Sequence, residues 1–265
     1  MTAPDFETVN VGGIKTACVT RKELATLVGE ICANYSQQAT QVPFIIFSNN
    51  GHAISIYNSD KDAREQMDQA DLVHADGQSV VTFSKWFNKG RAIPERTATT
   101  DMIHDIPNFY PGKLKHFLLG GKETSVTKAG EILGKTYNNF DVVGSQHGYF
   151  SDADESRICE AINAAKPDVL WVGLGKPKEQ IFCIRNKHRL NVPVIISCGG
   201  CYNYITGEYP RAPMWMQNMG LEWLFRMASD PKKLFWRYAV TNPHAIYCVI
   251  KHAMIKNYKI LSSSN

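Results

Sequence analysis

The chain has 265 residues, 44% of them hydrophobic and 20% charged, with a formal net charge of +4. That length and composition suit one large domain with a full core, or one domain plus an appendage, and they are those of an ordinary soluble protein. No apolar run approaches the ~20 residues that a spanning helix requires, and the first residues lack the basic and apolar regions of a signal peptide, so a cytoplasmic protein is expected.

The seven cysteines are an odd number, and Cys18, Cys32, Cys159, Cys183 and Cys248 fall at core-like positions. This fits reduced thiols better than a disulfide framework. Cys198-Gly199-Gly200-Cys201 forms the one C-x-x-C. A redox role for it stands as a rival reading, although such pairs normally open a thioredoxin-like unit, and no second pair completes four zinc ligands.

In chain order, Thr20-Arg21-Lys22-Glu23 is a capping box, and Leu24, Leu27, Val28 and Ile31 follow it at helical spacing. Strand-like apolar runs come next at 43–48, 71–75, 116–119, 140–143, 168–173 and 192–197, with helical patterns between most of them. This alternation predicts an α/β fold, a mainly parallel, doubly wound, Rossmann-like sheet covered on both faces.

The residues that follow each run are Ser48-Asn49-Asn50, Asp76-Gly77, Gly120-Gly121-Lys122, Gly144-Ser145, Gly173-Leu174-Gly175-Lys176 and Gly199-Gly200. All of them fall at the carboxyl ends of parallel strands, the edge where open α/β sheets bind ligands. Singly, each is also an ordinary turn. Asp76 with Gly77 reads equally as an Asx turn; Arg96 suits a bidentate grip on a diphosphate or, alternatively, a neighbouring carboxylate; and the lysine beside the glycine opening points to an anionic ligand, although Lys176 and Lys178 also read as solvated. The pattern G-x-x-x-x-G-K-[ST] is absent, and Gly173-Leu174-Gly175-Lys176 lacks the third glycine of G-x-G-x-x-G, so neither a P-loop ATPase nor a dinucleotide dehydrogenase is supported. The helix expected after Gly120-Gly121-Lys122 offers free amides to a diphosphate. His74 and His147 are read as structural, and Tyr149 either borders a nucleotide or packs with Phe150. No spaced His/Asp/Glu cluster calls for a metal.

Six segments then appear together: Asp71-Leu72-Val73-His74-Ala75-Asp76-Gly77; Pro94-Glu95-Arg96 with Asp101; Gly148-Tyr149-Phe150; G-L-G-K-P-K-E-Q; Gly199-Gly200; and R-A-P followed by G-L-E-W-L-F-R. In this order they resemble the WecG/TagA/CpsF bacterial glycosyltransferases, glycosyltransferase family 26. The resemblance implies transfer of a sugar, with inversion, from a UDP-hexose to a polyprenyl-diphosphate-linked sugar, without a cofactor or metal, on the cytoplasmic face of the inner membrane. It implies that Asp76 is the general base, that Ser48 and Asn50 are the polar pair beside it, and that Arg96 is the arginine of the E-R motif. Glu179 and Gln180 occupy the family's Q-E pair in reversed order. Gly199, Gly200 and Asn203 match its nucleotide segment, and Gly120, Gly121, Tyr149 and Gly175 are taken with them as nucleotide contacts. Ser48 for threonine, Thr99 for glycine and Asn203 for aspartate depart from the family pattern. They point away from amino-sugar donors, so glucose stands beside N-acetylmannosamine and its uronic acid as the expected donor.

Residues 226–265 carry seven Lys and Arg against one Asp, a balance of +6 that leaves −2 for the rest of the chain. With aromatic residues interleaved, the predicted organisation is a core at 1–225 and a basic amphipathic helical appendage at 226–265 that lies on an anionic membrane. Arg226, Lys233 and Arg237 are expected to meet the acceptor diphosphate there. A basic helix packed on the domain is the alternative, and no nucleic-acid motif accompanies the charge. The oligomeric state, including a homo-oligomer, is left open.

Overall fold

The computed structural model describes residues 6–35, 42–87, 90 and 92–263, apart from the side chains of Lys233 and 256–263. Its centre is a six-stranded, wholly parallel sheet in the order β4-β3-β8-β7-β5-β6. The strands are β3 (Phe44–Asn49), β4 (Leu72–Ala75), β5 (Leu114–Gly120), β6 (Phe140–Gln146), β7 (Val169–Gly173) and β8 (Val194–Ser197). All six predicted runs are therefore strands. The central ones are apolar along their whole length because both faces are covered. Ile45, Phe47, Leu170 and Val172 pack on one side, and Ile46, Val169 and Trp171 on the other.

One face carries α1 (Arg21–Asn34), α5 (Thr99–Phe109), α6 (Glu123–Thr136) and α9 (Cys201–Ile205). The opposite face carries α2 (Gly51–Ser59), α3 (Lys61–Met67), α4 (Gln78–Phe87), α7 (Glu155–Ala165), α8 (Lys178–Asn186) and part of α12 (Pro231–Ser263). Thr20 caps α1 as expected: its Oγ1 accepts from the Glu23 amide at 3.2 Å, and Glu23 returns to the Thr20 amide at 2.7 Å. At the amino edge of the sheet, Asp71 accepts the Ile45 amide and Asp168 the Lys115 amide, each at 2.7 Å, which ties β4 to β3 and β7 to β5.

Helices that follow neighbouring strands leave on opposite faces at four junctions: α2 and α9 after β3 and β8, α9 and α8 after β8 and β7, α8 and α6 after β7 and β5, and α6 and α7 after β5 and β6. Each divergence opens a crevice at the carboxyl edge. An antiparallel hairpin precedes the sheet, β1 (Thr8–Val11) and β2 (Ile14–Ala17). The sequence reading did not place it, although Val9, Val11, Ile14 and Thr16 alternate around Gly12-Gly13.

The C-terminal region is helical, in keeping with the expected helical appendage. A boundary at 225/226 cuts α11 (Glu222–Ser229), which follows the short α10 (Met214–Asn218). Helix α12 returns onto α2, where Ala245, Cys248 and Val249 join the main core. Its His244 Nδ1 bonds Ser55 Oγ at 2.9 Å, and its His252 Nε2 bonds Asn58 Oδ1 at 3.0 Å. The same helix leaves Phe235, Trp236, Val240, Tyr247 and Ile250 exposed on its outer side. It is thus both a packed helix and an apolar surface.

Candidate active site

The carboxyl ends of β5, β7 and β8 meet without side chains between them. A Cβ on Gly120 would collide with the Gly173 carbonyl, and one on Gly173 would lie 2.7 Å from the Gly199 oxygen. Gly121 donates its amide to Gly173 O at 3.2 Å, and Gly148 donates to Gly121 O at 2.9 Å. Buried Tyr202 supports this floor through a 3.0 Å bond to the Trp171 carbonyl. Gly175 and Gly199 have φ of +78° and +52° and face open space, so nothing stands against the backbone there. The structure brings Gly120, Gly121, Gly175, Gly199 and Gly200 to this one edge. Tyr149 stands beside it at the end of β6, 73% exposed.

Asp76 lies next to this floor, just past β4. Its Oδ2 accepts from Asn50 Nδ2 at 2.9 Å, and its Oδ1 accepts from the Thr99 amide at 2.9 Å and from Thr99 Oγ1 at 3.3 Å. Asn50 is held in turn, because its Oδ1 caps α2 at the Ala53 amide, 3.0 Å away. Burial works against the charge on Asp76, but the Lys176 ammonium, His74 and these donors outweigh it and hold the carboxyl down at about 2. His74, fully enclosed with ring nitrogens facing Thr97 and Thr99, is pushed by burial down to about 4. His147 serves locally and accepts the Tyr149 amide at 3.2 Å.

The Glu-Gln pair divides. Glu179 is buried, and its Oε2 accepts the amides of Gly175 and Gly199, both at 3.0 Å, so it braces the two glycine loops against each other. Burial raises its carboxyl above the ordinary value against the pull of Lys176. Gln180 donates its Nε2 to Glu179 Oε1 at 3.4 Å and also lines a small cavity with Ala53, Ile56, Ala63 and Met67 of α2 and α3. Asn203 is engaged by Glu208 at 2.6 Å, and Glu208 also accepts from Ser125 Oγ at 2.7 Å in the first turn of α6. The helix start expected to receive a diphosphate therefore already faces a carboxylate.

Arg96 is committed to protein partners. Its Nη1 bonds Glu222 at 2.7 Å, and its Nη2 bonds Gln217 at 2.8 Å and lies 3.5 Å from Asp101. Arg211 joins the same network through Asp101 at 2.8 Å and Gln217 at 2.9 Å. Together they fasten α10 and α11 to the start of α5. Arg226 is different: its guanidinium lies 5.4 Å above the Tyr204 ring, and among the described residues nothing forms an ion pair with it. Burial works to lower its pKa, but Tyr238, Tyr204, Asp76 and Glu222 together raise it. Arg237 lies over Tyr238 at 4.8 Å with its Nε buried and unpartnered, as are Tyr204 Oη and Thr241 Oγ1. Lys233, the third basic residue expected here, has its side chain outside the described residues.

Lys176, Thr99, Tyr204, Arg211, Gln217 and Glu222 were not singled out as site residues. The sequence leaves Lys176 open between a sign of an anionic ligand and a solvated side chain; its side chain is only 10% exposed, and Glu179 three positions on is the available signal of that. Both thiols of the C-x-x-C are buried, Cys201 is raised to about 12 by burial, and Cys198 rises well above its usual value for the same reason. Such thiols are poor nucleophiles. Among the described residues no group of three His, Cys, Asp or Glu side chains is placed to hold a metal ion, and no helix is long and apolar enough to cross a membrane.

Two curated relatives share the name N-acetylglucosaminyldiphosphoundecaprenol N-acetyl-beta-D-mannosaminyltransferase. The protein from Bacillus spizizenii is 27% identical over 187 residues, 70% of this chain and 70% of its own length. That from Bacillus subtilis is 27% identical over 193 residues, 72% of this chain and 73% of its own. The profile of the Glycosyl transferase WecG/TagA/CpsF family matches residues 9–259, nearly the whole fold including most of α12, and the chain is a glycosyltransferase that belongs to this family.

Proposed function

We propose that the protein transfers a hexose from a UDP-sugar to a polyprenyl-diphosphate-linked sugar, with inversion, during assembly of a bacterial surface polysaccharide. The observation that carries this reading is the Asp76 carboxylate, ionised and half-buried beside the glycine floor, and aimed by Asn50 and Thr99. The acceptor hydroxyl attacks the anomeric carbon as the bond to the UDP oxygen breaks, and its proton passes to Asp76. A carboxylate held at about 2 is a weak base, yet it suffices when the proton moves late, after the new C–O bond has made the hydroxyl strongly acidic. The nucleotide lies along Gly120, Gly121, Gly175 and Gly199-Gly200 in this reading, with Tyr149 at its edge. Arg226, which forms no ion pair among the described residues, and Arg237, whose Nε has no hydrogen-bond partner among them, offer the positive charge that diphosphates need.

The names of the two Bacillus relatives support a lipid-linked acceptor and put N-acetylmannosamine first among donors, with glucose and the uronic acid as further arms of a screen. In that screen, purified protein with a synthetic lipid-diphosphate-sugar acceptor is expected to release UDP and form a β-linked product. Transfer should persist in chelator, since Arg226 and Arg237 serve the leaving diphosphate in place of a metal. Loss in chelator with recovery in magnesium or manganese would show a metal in that role. Binding of UDP-sugars without transfer to any acceptor would favour the rival reading, a non-catalytic nucleotide-binding module.

In the same reading the protein works on the cytoplasmic membrane face and docks through the outer side of α10–α12, where Trp215, Trp236 and Ile250 are exposed beside Lys232 and Lys251. Truncating α12 cannot isolate this role, because it also uncovers Ala245, Cys248 and Val249. Surface charge reversal can. With ~1 kcal/mol for each basic residue at an anionic surface, Lys232→Glu with Lys251→Glu is expected to weaken vesicle binding by tenfold or more at unchanged melting temperature. Undiminished sedimentation with anionic vesicles would refute the docking surface.

A further inference from the structure

Lys176 lies in the loop between β7 and α8, its side chain only 10% exposed. Its Nζ donates to Ser48 Oγ at 2.7 Å and pairs with Glu179 Oε1 at 3.7 Å. Through Ser48 it reaches the end of β3, whose next residues carry Asn50 and receive the Asp76 amide at Asn49 O. Through Glu179 it reaches the amides of Gly175 and Gly199. One ammonium thus joins the β3, β7 and β8 ends, and with them the acid-base side of the site to the nucleotide side.

We propose that Lys176 is the positioning cation of the transfer reaction: it locks Ser48 and Glu179 in place and supplies the buried positive charge against which the Asp76 carboxylate is set. This rests on the reading of Asp76 as the base. The geometry favours it over a solvated lysine, since a desolvated ammonium persists only where counter-charge and acceptors surround it. It also favours it over a dedicated phosphate ligand, since the ammonium already donates to Ser48 and its charge already faces the buried Glu179 carboxylate. The titratable groups that face Asp76 are Lys176 from the β7–α8 loop, His74 from β4, Arg226 from α11 and the Cys201 thiol from α9. The thiol stays neutral below its raised value of about 12, and Arg226 stays charged throughout.

The experiment is carbon-13 NMR titration of the aspartate carboxyls in the whole protein, with Asp76 assigned by its loss in Asp76→Asn, beside the pH profile of kcat/KM. Lys176→Met alone leaves Glu179 as an uncompensated buried charge, so the test variant is Lys176→Met with Glu179→Gln, which removes the pair as a unit. Glu179→Gln alone is the control. Losing an opposite charge lets burial prevail, and the Asp76 midpoint is expected to rise by about 1 to 3 pH units, into the range where the protein is folded. His74, which Lys176 also depresses, is expected to gain a proton more readily in the same variant and is read by nitrogen-15 shifts. Lys176→Arg is expected to keep the Asp76 midpoint low. A midpoint that does not move, with or without weaker UDP binding, overturns the proposal. A midpoint that rises together with the acid limb of kcat/KM supports both Lys176 as positioning cation and Asp76 as base. One that rises while the acid limb stays put keeps Lys176 as the charge set against Asp76 but refutes Asp76 as base, and with it the place of Lys176 in the transfer reaction.

Discussion

Replacing Asp76 by asparagine is expected to reduce transfer by ~10²–10⁴-fold and to leave UDP affinity close to that of the wild type, measured by product formation and by calorimetry. The substitution preserves shape and the acceptor for the Thr99 amide, but it turns one oxygen into an amino group facing Asn50 Nδ2, which already donates at 2.9 Å. Two opposed donors cost about 1–3 kcal/mol of stability. A companion variant separates that cost from catalysis. Asp76→Asn combined with Asn50→Asp restores the hydrogen bond with its direction reversed, and the new carboxylate still accepts from the Ala53 amide, as Asn50 does now at 3.0 Å. The double variant is expected to regain the melting temperature without regaining transfer. Wild-type turnover in either variant would remove Asp76 from the chemistry.

The pH dependence follows from the same carboxylate. Its folded-state value is depressed, so it remains ionised above about 2, and the stability it contributes is present above the ordinary aspartate range and lost as pH falls through about 2. A fall in kcat between pH 7 and 5 in the wild type would therefore belong to another group.

What the sequence made legible follows from how local the physics is. Runs such as Phe44-Ile45-Ile46-Phe47 and Val169-Leu170-Trp171-Val172 are apolar without alternation because both faces are covered, and Ser48-Asn49 after the first and Gly173 after the second mark the carboxyl edge. The capping box at Thr20 and Glu23 is complete within four residues. Strand order is not local: nothing in 194–197 alone says that β8 pairs with β3 on one side and β7 on the other. Long-range charge pairing was equally hidden. Lys176 and Ser48 are 128 positions apart, and Arg96 and Glu222 are 126. Helix α12 shows a further limit, because its apolar residues point both ways. Leu234, Tyr238, Ala245 and Cys248 are buried while Trp236, Tyr247 and Ile250 are exposed, and the interleaved aromatics alone do not say which side each one takes.

Arg96→Ala is expected to lower transfer by ~10²-fold or more, and for a reason other than a lost phosphate contact. The Arg96 guanidinium is 12% exposed and spans Glu222 on one terminal nitrogen and Gln217 and Asp101 on the other. Removing it leaves Glu222 and Asp101 with Arg211 alone, and Arg211 reaches Glu222 only at 3.9 Å. Breaking a buried charge network in this way costs about 3–5 kcal/mol when the pair is fully enclosed and less at this partial exposure. The measurable consequences are a lower melting temperature and a loosened α10–α11 segment, read as faster amide exchange over 214–229. Helix α11 carries Arg226, so a displacement of even ~1 Å there is enough for a hundredfold loss. Lysine is not expected to rescue, because one ammonium cannot hold two acceptors in the fork geometry of a guanidinium. Arg226→Ala supplies the contrast: that side chain forms no ion pair among the described residues, so its loss is expected to raise KM or lower kcat with the melting temperature nearly unchanged. If Arg96→Ala instead kept its melting temperature and its exchange pattern while losing UDP or acceptor affinity, Arg96 would be a direct diphosphate ligand and the bracing role would be wrong.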